Sequence, residues 1–336
     1  MNRRWLLAEF PRGMLCAENF RWSESEVLAP TDGQVLVRNT YLSLDPTNRI
    51  WASGAQSYLP AMQLGEVMRG VTLGEVVASR DARVQAGACV TGLLGWQDYA
   101  VVRASAVQVL QCDPRRPITD YLGVMGSTGL TAYFGLLDVG IPRSGETVVV
   151  SAAAGAVGSL VGQIARIHGC RTVGLVGNAS KARWITEDLG FDSAIDYRAE
   201  NVQEAIAREC PSGVDIYFDN VGGRILDAAM GQLNPRGRIV LCGLISQYNS
   251  SSPVQELRNL ERFLVHRGRM QAFIVLDYLS RANEAYTQIA DWLERGLLQY
   301  RVDIVRGLEH APAALGKLFD GSNVGKLLVQ VQGEAQ

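Results

Sequence analysis

From about residue 122 onward, short apolar runs alternate with helix-like stretches of ten residues or more, and this rhythm limits the chain to very few folds. TVVVSA (147–152) precedes GAVGSLVGQIARIHG, and RTVGLVG (171–177) precedes ASKARWITEDLG. SAIDY precedes NVQEAIAREC, VDIYFDN (214–220) precedes RILDAAMGQL, and RIVLCG (238–243) follows. Strands that alternate with helices in this way predict a parallel, doubly wound α/β sheet with helices on both faces.

Residues 1 to about 110 have a different texture. Alternating runs such as QVLVRNTYLSL (34–44), TLGEVVAS (72–79) and DYAVVRAS (98–105) are separated by Gly, Pro, Asn and Asp turns, which predicts a mainly β domain. A helix-like stretch at 282–296 leads to HAPAALGKLFDG and a closing strand KLLVQV, a segment too short for a domain and expected to pack back on the amino-terminal one. At 336 residues, two domains are the starting expectation.

Composition narrows the function classes. Charged residues make up 20% of the chain and the formal charge is −2, so no strong field favours nucleic acid or an anionic membrane surface. The apolar runs of MNRRWLLAEFPRGML are too short for a secretory signal, and none elsewhere reaches the ~20 residues that span a bilayer. Six cysteines without a CxxC pair fit reduced thiols in a cytoplasmic enzyme. His168, His266 and His310 form no HxH or HExxH pair and read as structural.

The first βα turn carries the chemistry. In SAAAGAVGSLVGQIA (151–165) the predicted strand runs directly into a helix with Gly155 and Gly158 on the turn, so Gly155, Ala156, Val157 and Gly158 are placed to hold pyrophosphate against the helix N–H groups. The pattern is AxxGxxG, with Ala152 in the first place. About twenty residues on, where an acid would take the ribose hydroxyls of NAD, the strand ends in Gly177 and Asn178. Lys181 can pair with a 2′-phosphate and Ser180 can donate to it, which points to NADP(H). Taken alone, Lys181 also reads as an ordinary solvated helix residue.

YLSLDP (41–46), GEVMRG (65–70), GLTAYFGLLDVG (129–140), AAAGAVGSLVGQIA, LGFDSAIDY (189–197), FDNVGG (218–223), CGLISQYN (242–249), MQAFIVLDY (270–278) and LFDGSNVGKLLV (318–329) together resemble zinc-independent medium-chain dehydrogenase/reductases. The branch is that of the prostaglandin reductases (leukotriene B4 12-hydroxydehydrogenases), plant double-bond reductases and bacterial curcumin reductases. The resemblance implies a GroES-like β-barrel domain over 1–121, a Rossmann NADPH-binding domain over 122–296, and a return segment over 297–336 that completes the first. It implies a homodimer and a cofactor cleft between the domains.

The resemblance assigns Lys181 and Tyr197 to the adenosine 2′-phosphate, and Asn220 and Val221 to the ribose or nicotinamide. It places Cys242, Gly243, Ile245, Ser246 and Tyr248 along the cofactor, Phe273 and Val275 beside the nicotinamide, and Asn323 and Gly325 over it. Zinc is not expected: the GHE motif and four-cysteine lobe of zinc-dependent relatives are missing, and no three ligands converge on an open site.

The implied reaction is hydride transfer from NADPH to the β-carbon of an α,β-unsaturated ketone or aldehyde. Tyr248 is the candidate catalytic residue, as a donor to the enolate or as a support for a ribose hydroxyl; packing against the cofactor is an equal alternative. Tyr58, Thr47 and Asn48 are candidate substrate contacts, the last two standing where many relatives have the Tyr-Met of DPYMR. Ser127 and Thr128 replace the Met-Pro of GMPGLTAY. Quinone reduction by the same donor, and a non-catalytic NADPH-binding protein, are the rival readings.

Overall fold

The computed structural model describes residues 1–250 and 256–331. The strands in chain order are β1 (Asn2–Leu7), β2 (Phe20–Ser25), β3 (Gln34–Ser43), β4 (Thr72–Ser79), β5 (Cys89–Gly92), β6 (Tyr99–Arg103), β7 (Val107–Val109), β8 (Thr147–Val150), β9 (Arg171–Val176), β10 (Ser193–Asp196), β11 (Val214–Asp219), β12 (Leu233–Leu241), β13 (Arg269–Ala272), β14 (Val302–Arg306) and β15 (Lys326–Gln330). The helices are α1 (Thr47–Trp51), α2 (Ser127–Phe134), α3 (Ala156–Ile167), α4 (Ala179–Arg183), α5 (Val202–Glu209), α6 (Gly223–Met230), α7 (Leu260–Val265), α8 (Ala282–Glu294) and α9 (Ala311–Asp320). Two compact units result. One comprises Met1–Leu122, Val302–Asn323 and the residues from Leu327; the other comprises Gly123–Arg301 and Val324–Lys326.

The first unit is built on β3. Side chains along its first half alternate between buried and half-exposed, so Val35, Val37, Asn39 and Tyr41 face inward, as a period of two dictates. This strand pairs antiparallel with β4, β6 and β15 within a sheet ordered β14-β15-β3-β4-β5-β7. The inward Asn39 is fully satisfied by its neighbours: its amide donates to the Gln97 carbonyl at 2.8 Å and accepts from the Thr72 hydroxyl at 2.8 Å. This is the GroES-like β domain.

The second unit is a six-stranded parallel sheet ordered β10-β9-β8-β11-β12-β13. Counted from β8, the order is 3-2-1-4-5-6, the doubly wound arrangement of dinucleotide-binding sheets, and it reverses between β8 and β11. Burial on both faces explains why β8, β9 and β11 read as largely apolar runs. Val148 and Val150 of β8 pack with α2, α3 and α8 through Leu130, Phe134, Leu160, Ile164 and Ile289. Val149 between them packs with α5 and α6 through Ala205, Ile206, Ile225 and Ala229 on the other face. Among the described residues no helix is long and apolar enough to cross a membrane.

Candidate functional site

A doubly wound sheet binds its ligand at the carboxyl ends of the strands flanking the point of reversal, here β8 and β11. After β8 the chain turns through Ala152, which sits at φ +49°, a left-handed conformation costing a non-glycine residue about 1 kcal/mol. Gly155 donates to the Ala152 carbonyl at 2.9 Å, and a side chain on Gly158 would collide with that same carbonyl. Ser159 N–H to Gly155 C=O, 3.0 Å, is the first bond of α3. The amides of Ala156, Val157 and Gly158 precede it at the positive end of a twelve-residue helix.

Gly325 lies directly against this turn. It bridges Gly155 in parallel, donates to the Ala154 carbonyl at 2.9 Å, and has φ +68° with its Cα pressed against the Arg301 backbone. Asn323, two residues earlier, is buried within the first unit.

At the end of β9, Asn178 caps α4: its side-chain oxygen accepts from the Lys181 N–H at 2.9 Å and the Ser180 hydroxyl at 2.8 Å. The backbone that carries the Lys181 ammonium is therefore fixed. Tyr197, immediately after β10, donates its N–H to the Val176 carbonyl at 3.0 Å, and its hydroxyl lies against Gly177, where a Cβ would come within 2.9 Å of it. Arg198 sits over the Tyr197 ring at 5.9 Å and also borders Gly177. Sequence reasoning missed Arg198, because its place depends on how β10 pairs with β9. Asp196, the acid at the end of β10, accepts from the Arg198 N–H at 3.0 Å.

Three loops meet where β8, β11 and β12 end, and Asp219 ties them together. One of its carboxylate oxygens accepts from Ser151 Oγ (3.1 Å), Tyr217 Oη (2.8 Å), Val221 N–H (3.0 Å) and Gly222 N–H (2.9 Å). Its other oxygen is buried without a hydrogen-bond partner. Burial pushes the Asp219 carboxyl above its ordinary value, although its four donors pull the other way. Asn220 donates its side-chain amide to the Ser151 carbonyl at 2.8 Å, and the amides of Cys242 and Gly243 donate to the Asp219 carbonyl at 2.9 and 3.0 Å. Ile245 and Ser246 reach Asn220 and Val221 through backbone bonds of 3.3 and 3.2 Å. Sequence reasoning passed over Asp219, which reads locally as a surface turn residue.

The Tyr248 hydroxyl accepts the Leu244 N–H at 3.0 Å and lies beside Gly243, where a Cβ would stand 3.3 Å from it. The Cys242 thiol is pushed up to about 12 by burial, with Asp219 adding to the effect, so it stays protonated at neutral pH. Phe273 packs edge-on to Phe218 at 6.5 Å and against Gly135, while Val275 rests on the same apolar cluster.

In the first unit, Tyr58 lies beside Thr47 and Trp51, and burial pushes its phenol above the ordinary value. Asn48 is buried and braced at both ends: its side-chain oxygen accepts the Asp45 N–H at 2.8 Å and its amide donates to the Arg69 carbonyl at 3.1 Å. Among the described residues no group of three or more His, Cys, Asp or Glu side chains could hold a metal ion.

Two family models match the chain: one described as the N-terminal domain of oxidoreductase over residues 3–110, the other as zinc-binding dehydrogenase over 156–295. The chain is 44% identical over 338 residues to the NADPH-dependent curcumin reductase of Escherichia coli, covering 99% of this chain and 98% of that protein. It is 36% identical to prostaglandin reductase 1 of Rattus norvegicus, covering 98% of each. Among solved structures, CurA of Vibrio vulnificus in complex with NADPH superposes with a TM-score of 0.93 at 43% identity, over 98% of this chain and 99% of that one. The chain belongs to the medium-chain dehydrogenase/reductase family, in the branch of the prostaglandin, double-bond and curcumin reductases.

Proposed function

We propose that this protein is an NADPH-dependent reductase of the carbon–carbon double bond in α,β-unsaturated ketones and aldehydes. The observation that carries the cofactor is the ordered pair of sites on one sheet. An anion-ready turn with three amides at the start of α3 lies at the point of strand reversal, and the β9 end offers Lys181, Tyr197 and Arg198 in place of an acid. These residues fit a dinucleotide carrying a 2′-phosphate. The relatives named for reducing curcumin and prostaglandins support the substrate class.

NADPH, when bound, supplies the hydride. The residues of this chain hold and orient it: Gly155 to Gly158 at the pyrophosphate, Lys181 and Tyr197 at the 2′-phosphate, and Asn220, Val221 and the 242–248 loop at the nicotinamide end. Tyr248 carries a phenol that serves as hydrogen-bond donor to the developing enolate oxygen, or to a group that contacts it. Thr47 and Tyr58 are the substrate-facing pair. Asn48 shapes that loop through its two backbone bonds.

The exposed edge of β13, together with exposed Leu260, Leu264, Val265 and Leu279, supports a homodimer formed through the parallel sheets. Reduced cysteines and the composition support a cytoplasmic enzyme.

The test is to follow NADPH and NADH oxidation at 340 nm, a standard wavelength for the reduced nicotinamide, with enones, alkenals, quinones and alcohols as acceptors. The proposal expects turnover of enones or alkenals with a strong preference for NADPH. Turnover confined to quinones would replace the substrate class. No oxidation with any acceptor would remove the enzyme reading.

A further inference from the structure

We propose that Cys89 and Cys112 form a thiol–disulfide site that hydroperoxides oxidise. Strands β5 and β7 pair antiparallel with Val90 opposite Val109 and Thr91 opposite Gln108, and the ladder continues with the Leu110 N–H donating to the Cys89 carbonyl at 2.9 Å. Cys89 thus faces Leu110, and Cys112 lies two residues further along, in the loop that follows β7. Cys112 lies close enough to the Cys89 thiol to act on its ionisation. Neither is sealed in the core: both residues are half-exposed.

The loop bearing Cys112 is held in place. The Tyr121 hydroxyl accepts the Asp113 N–H at 2.7 Å and donates to the Gln111 carbonyl at 3.3 Å, clasping the chain on either side of the cysteine. Across the other edge of β5, Glu75 stands opposite Cys89 and is paired with Arg38 at 2.7 Å. Cys89 lies within β5, where burial pushes its thiol up to about 12 with Cys112 and Glu75 adding to the effect, whereas Cys112 lies in the loop after β7; in this proposal the loop sulfur of Cys112 reacts first and Cys89 resolves it.

The steps balance with one hydroperoxide. The Cys112 sulfur attacks the outer oxygen of the O–O bond; an S–O bond forms, the O–O bond breaks, and the leaving alkoxide or hydroxide takes the thiol proton. The Cys89 sulfur then attacks the Cys112 sulfur of the sulfenic acid, forming S–S as S–O breaks, and its proton leaves with the hydroxide as water. Two thiols are oxidised by two electrons, and the peroxide is reduced to water and an alcohol or a second water.

The remaining four cysteines are spread elsewhere: Cys16 is exposed, Cys170 and Cys210 are buried, and Cys242 lies in the 242–248 loop. Cutting after Arg83, Arg103 and Arg115 releases residues 84–103 with Cys89 alone and 104–115 with Cys112 alone, so the pair is directly readable.

The experiment treats the full-length protein with hydrogen peroxide for minutes, blocks free thiols with N-ethylmaleimide, and digests it with trypsin without reductant. The expected product is one cross-linked species of 84–103 and 104–115, about 2 Da lighter than the summed peptides and split by dithiothreitol. Cys89→Ser and, separately, Cys89→Ala must abolish it and leave Cys112 reactive toward a sulfenic-acid probe. Cys112 advancing to sulfinic acid in the unaltered protein without any linked species, or pairing with Cys16 of a second molecule, would overturn the proposal.

Discussion

Removing the Asp219 carboxylate tests whether one buried acid assembles the loops proposed to meet the nicotinamide. Four donors converge on one of its oxygens, two of them the backbone amides of Val221 and Gly222, and two the hydroxyls of Ser151 and Tyr217. Asp219→Ala leaves these groups without their acceptor in a place with no solvent access. At about 1–3 kcal/mol per buried unsatisfied donor, with water entering the vacated space and satisfying some, the expected loss is about 3–5 kcal/mol. Asp219→Asn keeps one acceptor oxygen and puts its NH₂ where the partnerless oxygen lies, so its loss is about 1–2 kcal/mol.

The pH dependence separates this account from simple loss of packing. The folded carboxyl is raised above its unfolded value of 3.8, so between the two values the folded state binds more protons than the unfolded one. The contribution is fully present below 3.8 and is lost as pH rises through the folded pKa. The stability advantage of the natural protein over Asp219→Asn is therefore largest in mild acid and shrinks toward neutrality. Urea unfolding of both variants from about pH 4.5 to 8 measures it. An Asp219→Ala protein within about 0.5 kcal/mol of the natural one, or an advantage that does not change with pH, refutes the reasoning.

Other substitutions test the remaining parts of the site. Lys181→Ala removes a charge-assisted contact worth about 1.5–3 kcal/mol, so KM for NADPH rises about 10–100-fold in steady-state kinetics while that for NADH stays within about twofold; equal effects on both would remove the 2′-phosphate role. Gly158→Ala forces a methyl into the Ala152 carbonyl and is expected to cost about 1–3 kcal/mol in urea unfolding and to weaken NADPH binding at least ~10-fold by fluorescence titration. The Cys242 thiol, raised to about 12, is expected to resist iodoacetamide at pH 7 and to react only as the pH climbs toward that value, which peptide mass spectrometry reads directly.

What could be read in advance follows from how far each signal reaches along the chain. The sheet was legible because β8, β9 and β11 are buried on both faces, so each announces itself within a few residues, and the lysine stood out because the spacing from the glycine turn to the β9 end is set by one helix and one strand. By contrast β13, RMQA, has mostly exposed side chains and is a strand only because β12 offers it an edge. Asn48 is a candidate substrate contact because the resemblance puts a methionine at its place; that its side chain also donates to the Arg69 carbonyl, twenty-one residues away, is written in no short window of sequence. Arg198, Asp219 and the Cys89–Cys112 pair are hidden for the same reason. Each acquires its neighbours from strand register, and register is decided by the burial of whole strands, a sum no short window contains. Side chains that acquire their neighbours through pairing across strands are therefore where a structure adds most to a sequence of this fold, and in this chain they sit both at the ends of β9 and β10, where the 2′-phosphate contact is proposed, and at the β5–β7 edge.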